Sequence, residues 1–159
     1  MNNKSNEIIF QFISEPKEVN FSGKVHGGSV MKWIDQAAYT CARNWAESYC
    51  VTAYIGGTSF YGPINIGEVV KVVARVIYTG RTSIHISVDV FSRDFSESEF
   101  KLRTHCVTVF VGVDGDGKPQ PVKPWVPQSE KEKKMAVYAQ TLKSFQDKIN
   151  VEIKQYIGQ

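Results

Sequence analysis

An aspartate stands inside an otherwise apolar helical pattern. Val30, Ile34, Ala37, Ala38, Cys41, Ala42 and Trp45 recur at the spacing of one helix face, which predicts an amphipathic helix from Ser29 to about Ser48. The neighbours of Asp35 one and two turns away on its face are Met31, Ala38, Tyr39 and Ala42. A carboxylate there is costly to desolvate unless donors meet it. It is either a hydrogen-bonded residue at the stripe's edge or a general base poised to deprotonate water. Gly27 and Gly28 open the same helix, leaving its first N–H groups unobstructed at the positive end of the dipole. Such donors can polarise a carbonyl as an oxyanion hole does, with the carboxylate two turns on activating the nucleophile. The expectation is that acid and helix start share one pocket.

Other polar residues gather near that start. Asn20, in the preceding loop, can position water or a carbonyl, or merely shape a turn. His26 adjoins the helix start without spacing that makes it a base, and Ser29 offers an N-terminal cap. Gly80-Arg81-Thr82-Ser83 places a guanidinium and hydroxyls in a turn, a chemistry suited to phosphate, to which Arg103 and Lys123 could add. His85 and His105 fall on strands, and no His, Cys or carboxylate grouping has metal-ligand spacing. Phosphate-loop, dinucleotide and nucleophile-elbow motifs are absent from the sequence.

The elements that must hold these residues follow from the pattern. Ile8 to Ile13 reads as a first strand. After the helix come four more: Val51 to Phe60, interrupted by Gly56-Gly57; Val69 to Tyr78; Ile84 to Val90, alternating apolar and polar; and Phe100 to Val113. Gly56-Gly57 suggests a bulge or a close backbone approach. Asp114 to Lys118 closes a turn; it is not a calcium loop, because Trp125 stands where the bidentate acid would be needed. From Ser129 to Tyr156, Met135, Leu142, Ile149 and Tyr156 recur every seven residues, a second helix that docks its stripe on the sheet or on a neighbouring subunit. The class is α+β, a curved antiparallel sheet wrapped around a long central helix. Its free edges invite pairing with a second copy.

Composition bounds the rest. The 159 residues, 42% hydrophobic and 22% charged, describe one globular domain with an appended element. We divide it as 1–127 and 128–159. A net charge of +3 suits an anionic small ligand and is too small to argue for nucleic acid. No run approaches a membrane span. Three cysteines at no metal spacing and the lack of a signal-peptide pattern point to a reduced, cytoplasmic protein. The sequons at Asn3 and Asn20 then carry no meaning.

The ordered segments Val19-Asn20-Phe21-Ser22-Gly23-Lys24-Val25-His26-Gly27-Gly28-Ser29-Val30-Met31-Lys32-Trp33-Ile34-Asp35, Val51-Thr52-Ala53, Phe60 to Ile64, Gly67-Glu68-Val69-Val70, Gly80 to Ser83 and Phe110 to Asp114 resemble those of hotdog-fold acyl-CoA thioesterases. Within that family they resemble the bacterial acyl-CoA hydrolases related to the cytosolic, brain-type enzyme. The likeness runs from about Ile8 to Pro124. It implies hydrolysis of acyl-CoA to fatty acid and coenzyme A, which is part of the substrate, with no separate cofactor. It implies a dimer with a continuous sheet, active sites at the subunit boundary, and a trimer of dimers. Asp35 matches the catalytic carboxylate, and Asn20 a polar loop residue serving the site from the partner subunit. Gly28 is the carbonyl-polarising helix start, flanked by His26 and Gly27. Thr52 is a strand hydroxyl near the site, and Arg81, Thr82 and Ser83 a turn touching coenzyme A. The family often carries an acid where Gly56 stands here, so the Gly56-Gly57 pair could widen the acyl or pantetheine channel. A non-catalytic acyl-CoA-binding regulator on the same fold is the rival reading. A hydratase is disfavoured because the helix carries no His after His26.

Overall fold

The computed structural model describes residues 5–158, so Asn3 of the first sequon lies outside the described residues. Strand β1 (Glu7–Ile13) leads through a short 3-10 turn (Pro16–Glu18) and a loop into helix α1 (Gly27–Ala46). Strands β2 (Tyr49–Phe60), β3 (Val69–Thr79), β4 (Ser83–Arg93) and β5 (Lys101–Val113) follow, then helix α2 (Glu130–Ile157). The strands form one sheet in the order β1-β3-β4-β5-β2, and each recorded pairing is antiparallel. This is the hotdog architecture. β1 and β2 are its edges.

The helix lies in the concave face because its stripe is both apolar and small. Ile34, Ala37, Ala38 and Ala42 are wholly buried, and three alanines let the backbone approach the sheet closely. Opposite them, alternation delivers Val70, Val72, Ala74 and Val76 from β3, Ile84, Ile86, Val88 and Val90 from β4, and Cys106 and Phe110 from β5 into one core. Cys41, Cys50 and Cys106 are buried, unpaired thiols; burial pushes Cys41 up to about 12. Cys50 lies on β2 rather than at the helix end, because the strand begins at Tyr49.

The outer face is where the sequence reading needs correction. The alternation of β4 presents His85, Ser87 and Asp89 on a polar face, yet His85 and Ser87 are buried. Helix α2 covers this face, packing Met135, Tyr138, Ala139 and Leu142 on Ile77, Tyr78 and Val107. Beneath it the His105 ring bridges Asp89 (2.7 Å) and the Tyr138 hydroxyl (2.8 Å), while the Ser87 hydroxyl is buried without a hydrogen-bond partner. The Gly56-Gly57 pair also belongs to this face. Gly57 has φ +58, and a Cβ on it would stand 3.2 Å from Leu142 Cδ1; one on Gly56 would collide with the Tyr54 ring. These glycines admit α2 and Tyr54 rather than widening an inner channel.

Candidate active site

Helix α1 begins at Gly27, two residues before the expected start at Ser29. His26, not Ser29, is the N-cap: its Nδ1 accepts from Gly28 N at 3.2 Å, and its carbonyl accepts from Ser29 N and Val30 N. An accepting Nδ1 leaves the ring proton on Nε2. The Gly28 amide is therefore not bare, and a substrate carbonyl would have to compete with the His26 ring for it. Gly27 is open on its side-chain side, since a Cβ there would meet nothing within 4 Å.

The loop before the helix is organised by Asn20. Its Oδ1 accepts from Ser22 N and Ser22 Oγ at 2.9 Å and from Lys24 N at 3.0 Å. Those bonds use the carbonyl end of the amide and fold the loop back on itself. Asn20, Gly27 and Val30 line a groove of about 420 Å³ with Phe60, Tyr61 and Pro63. Beside Asn20, Phe21 projects fully into solvent.

Asp35 is half-buried, at the edge of the stripe as its spacing predicts. It lies under β2, where Thr52 Oγ1 donates to Asp35 Oδ1 at 3.2 Å. A carboxylate held by one hydroxyl, on a helix facing a free sheet edge, keeps lone pairs to receive a proton from water. Asp35 is not among the residues lining the groove at the helix start. Gly28 and Asp35 are about 10 Å apart along the axis, and first-turn N–H groups point outward from the helix start, away from the acid behind them. The expected single pocket holding both is therefore not present within one chain.

The turn from Gly80 to Ser83 is split in role. Arg81 is exposed, and its carbonyl accepts from Val122 N, while the Thr82 carbonyl accepts from Gly112 N. Ser83 Oγ instead meets His85 Nε2 at 3.3 Å. Lys123 Nζ sits over the Trp45 ring. Arg103 does not join the turn, being at the opposite end of β4, where its Nε donates to Ser92 Oγ at 2.8 Å. There it belongs to a network that residue patterns did not reveal. Buried Glu68 accepts from Asn65 Nδ2 (2.8 Å) and Ser92 Oγ (2.6 Å) with Arg103 at 4.0 Å. Lys24 Nζ donates to Asn65 Oδ1, so the network ties the Asn20 loop to the sheet. An acid opening the apolar run Val69-Val70 was its one sequence signal. Among the described residues no cluster of His, Cys, Asp and Glu could hold a metal ion.

Comparison with known proteins places this geometry. The thioesterase superfamily profile matches residues 22–97. The acyl-CoA thioester hydrolase YciA of Salmonella typhimurium is 30% identical over 76% of this chain and 93% of its own. A hexameric acyl-CoA thioesterase crystal structure is 32% identical, with TM-score 0.87 over 91% of this chain and 93% of that one. The acyl-CoA hydrolase of Staphylococcus aureus, solved with butyryl coenzyme A and coenzyme A, is 27% identical, with TM-score 0.90 over 97% and 94%. That enzyme has also been solved with single alanine replacements of an asparagine, an aspartate and a threonine, whose spacings of 15 and 17 residues are those of Asn20, Asp35 and Thr52. The chain belongs to the hotdog-fold acyl-CoA thioesterases of the thioesterase superfamily.

Proposed function

We propose that this chain hydrolyses acyl-CoA thioesters to a fatty acid and coenzyme A, at sites built between two copies of itself. The observation that carries the reading is the Asp35–Thr52 pair on the concave face at the free β2 edge. The acyl-CoA chemistry of the relatives and the shared Asn, Asp and Thr spacing support it.

Each β2 edge pairs with that of a second copy, making one continuous sheet, and three such dimers form the full assembly. Asp35 of one protomer then faces the helix start and Asn20 loop of the other. This resolves the failure of acid and amides to meet within one chain. Asp35 takes a proton from water as the water adds to the thioester carbon. The Gly27-Gly28 end of α1 receives the developing oxyanion, the carbonyl displacing the His26 ring from the Gly28 amide. Removal of one such donor costs about 3 kcal/mol of barrier in comparable sites. Asn20 Nδ2 orients the water or carbonyl. The tetrahedral intermediate then expels the coenzyme A thiolate, which Arg81 and Thr82 hold by its phosphates; no cofactor takes part. The body 1–127 carries the chemistry in a reducing cytoplasm, and 128–159 serves packing.

Thiol release from palmitoyl-CoA, followed with a chromogenic thiol reagent, tests the reading. Wild-type protein should release thiol, and Asp35→Asn should lose at least a hundredfold in kcat with its circular dichroism and assembly unchanged. Wild-type turnover in that variant would remove Asp35 from the chemistry. Tight binding of acyl-CoA without thiol release by the wild type would leave a regulator in place of an enzyme.

A further inference from the structure

Glu68, just before β3, is a buried acid that the proposed chemistry does not use, 5% exposed. A carboxylate kept from water has to be met by donors, and three side chains surround it. Asn65 Nδ2 donates to Oε1 at 2.8 Å and Ser92 Oγ to Oε2 at 2.6 Å, with the Arg103 guanidinium at 4.0 Å. The turn that carries Asn65 and Glu68 is also fixed by its backbone. Ser14, at the end of β1, donates from Oγ to the Asn65 carbonyl at 2.7 Å and from N to the Glu68 carbonyl at 3.0 Å. Buried contacts to β4 and β5 and to the end of β1 therefore hold this turn in place. Apolar replacements of buried ion pairs are often neutral or stabilising, so stability alone does not call for an acid here.

The network reaches the groove at the helix start by two routes. Through Asn65 it reaches the Asn20 loop, since Lys24 Nζ donates to Asn65 Oδ1. Lys24 and Asn20 are in turn paired reciprocally: Asn20 N donates to the Lys24 carbonyl at 2.7 Å, and Lys24 N to Asn20 Oδ1 at 3.0 Å. Through Arg103 it reaches the segment after β2. The Arg103 carbonyl accepts from Tyr61 N at 2.7 Å, and a Cβ on Gly62 would stand 3.2 Å from Arg103 Nη1. Asn20, Lys24, Tyr61 and Gly62 all line the groove.

We infer that Asn65 and Glu68 are positioning residues for the thioester chemistry: they hold Lys24, and through it the Asn20 amide, so that Asn20 Nδ2 is aimed at the reacting group. The inference rests on the role proposed above for Asn20 and names what enforces it. Lys24 N fixes the Asn20 amide by its oxygen, so a shift of Lys24 carries Nδ2 with it. Displacement of a catalytic group by about 1 Å can cost about a hundredfold in rate.

The test is a double-mutant cycle on kcat, read by thiol release from palmitoyl-CoA, with Asn65→Ala and Asn20→Ala. Asn65 is exposed, so the fold, read by circular dichroism, should not change. Asn65→Ala alone should lower kcat at least tenfold, and should change it less than twofold where Asn20 is already alanine. A loss by the same factor in both backgrounds overturns the inference, because Asn65 would then act through the fold at large. Wild-type kcat in Asn65→Ala overturns it as well. Lys24→Met cuts only the link between loop and turn, leaving Glu68 its partners, and should follow the same pattern. Lys24→Arg, which restores a donor, should recover most of the rate; wild-type turnover in Lys24→Met, or no recovery in Lys24→Arg, counts against the inference. In each of these failures a crippled Asn20→Ala leaves the reading of Asn20 standing. Wild-type turnover in Asn20→Ala would withdraw that reading and the inference with it.

Discussion

Asn20 closes its loop with one atom of its side chain, and the proposed chemistry asks a second job of another. Oδ1 closes the loop through three hydrogen bonds, while the proposed chemistry uses Nδ2. Asn20→Asp keeps the accepting oxygen and loses the amide donor; Asn20→Ala loses both. The aspartate variant should therefore fall at least tenfold in kcat with unchanged thermal stability. The alanine variant should lose kcat and, in addition, about 1–2 kcal/mol of stability. Thiol-release kinetics beside a melting curve decide the matter, and equal stability in the two variants would deny the loop role. His26 shows the same economy, its ring capping the amide that a carbonyl would later take. The place of Asp35 at the stripe's edge was legible from residue type alone, because a carboxylate in an alanine-rich stripe breaks the pattern. The His26 cap was not, since a histidine before two glycines gives no sign of which way its ring turns.

At the scale of elements, strand and helix periods placed α1 and the five strands, with shifts of one or two residues at most ends. What periodicity could not say is which polar face water reaches. β4 alternates cleanly, and only the docking of α2 turns His85 from a surface residue into a buried one. Burial, with Lys143 of α2 adding to it, pushes His85 down to about 4 from its ordinary 6.5. The unfolded chain then binds a proton that the folded chain refuses between those values. The sign follows: the stability is fully present above pH 6.5 and is lost as pH falls from there toward 4. The loss is about 3 kcal/mol if the whole shift is expressed. Urea denaturation at pH 7 and at pH 4.5 should show it, and His85→Gln should flatten that part of the profile. An identical profile in the variant would mean that the proton is taken up elsewhere.

At the scale of the whole molecule, the uncovered surface and the divided site have one explanation. Phe21, Val51, Ile55, Phe60 and Tyr61 are exposed large side chains, and they adjoin the Asn20 loop or run along β2. Asp35 and the helix start cannot meet within one chain. The two-fold proposed at the β2 edge would cover the first group and join the second, making the active site a property of the dimer. That arrangement has a consequence in mixtures. If Asp35 and Asn20 of one site come from different protomers, a heterodimer of Asp35→Asn with Asn20→Ala holds one site with both residues intact and one with neither. Two nearly inactive variants, unfolded together and refolded at equal amounts, should therefore recover about one quarter of wild-type turnover, because half the dimers are mixed and half their sites are whole. Sites contained within single protomers would recover nothing on mixing. Thiol release from the refolded mixture, compared with each variant refolded alone, distinguishes the two arrangements.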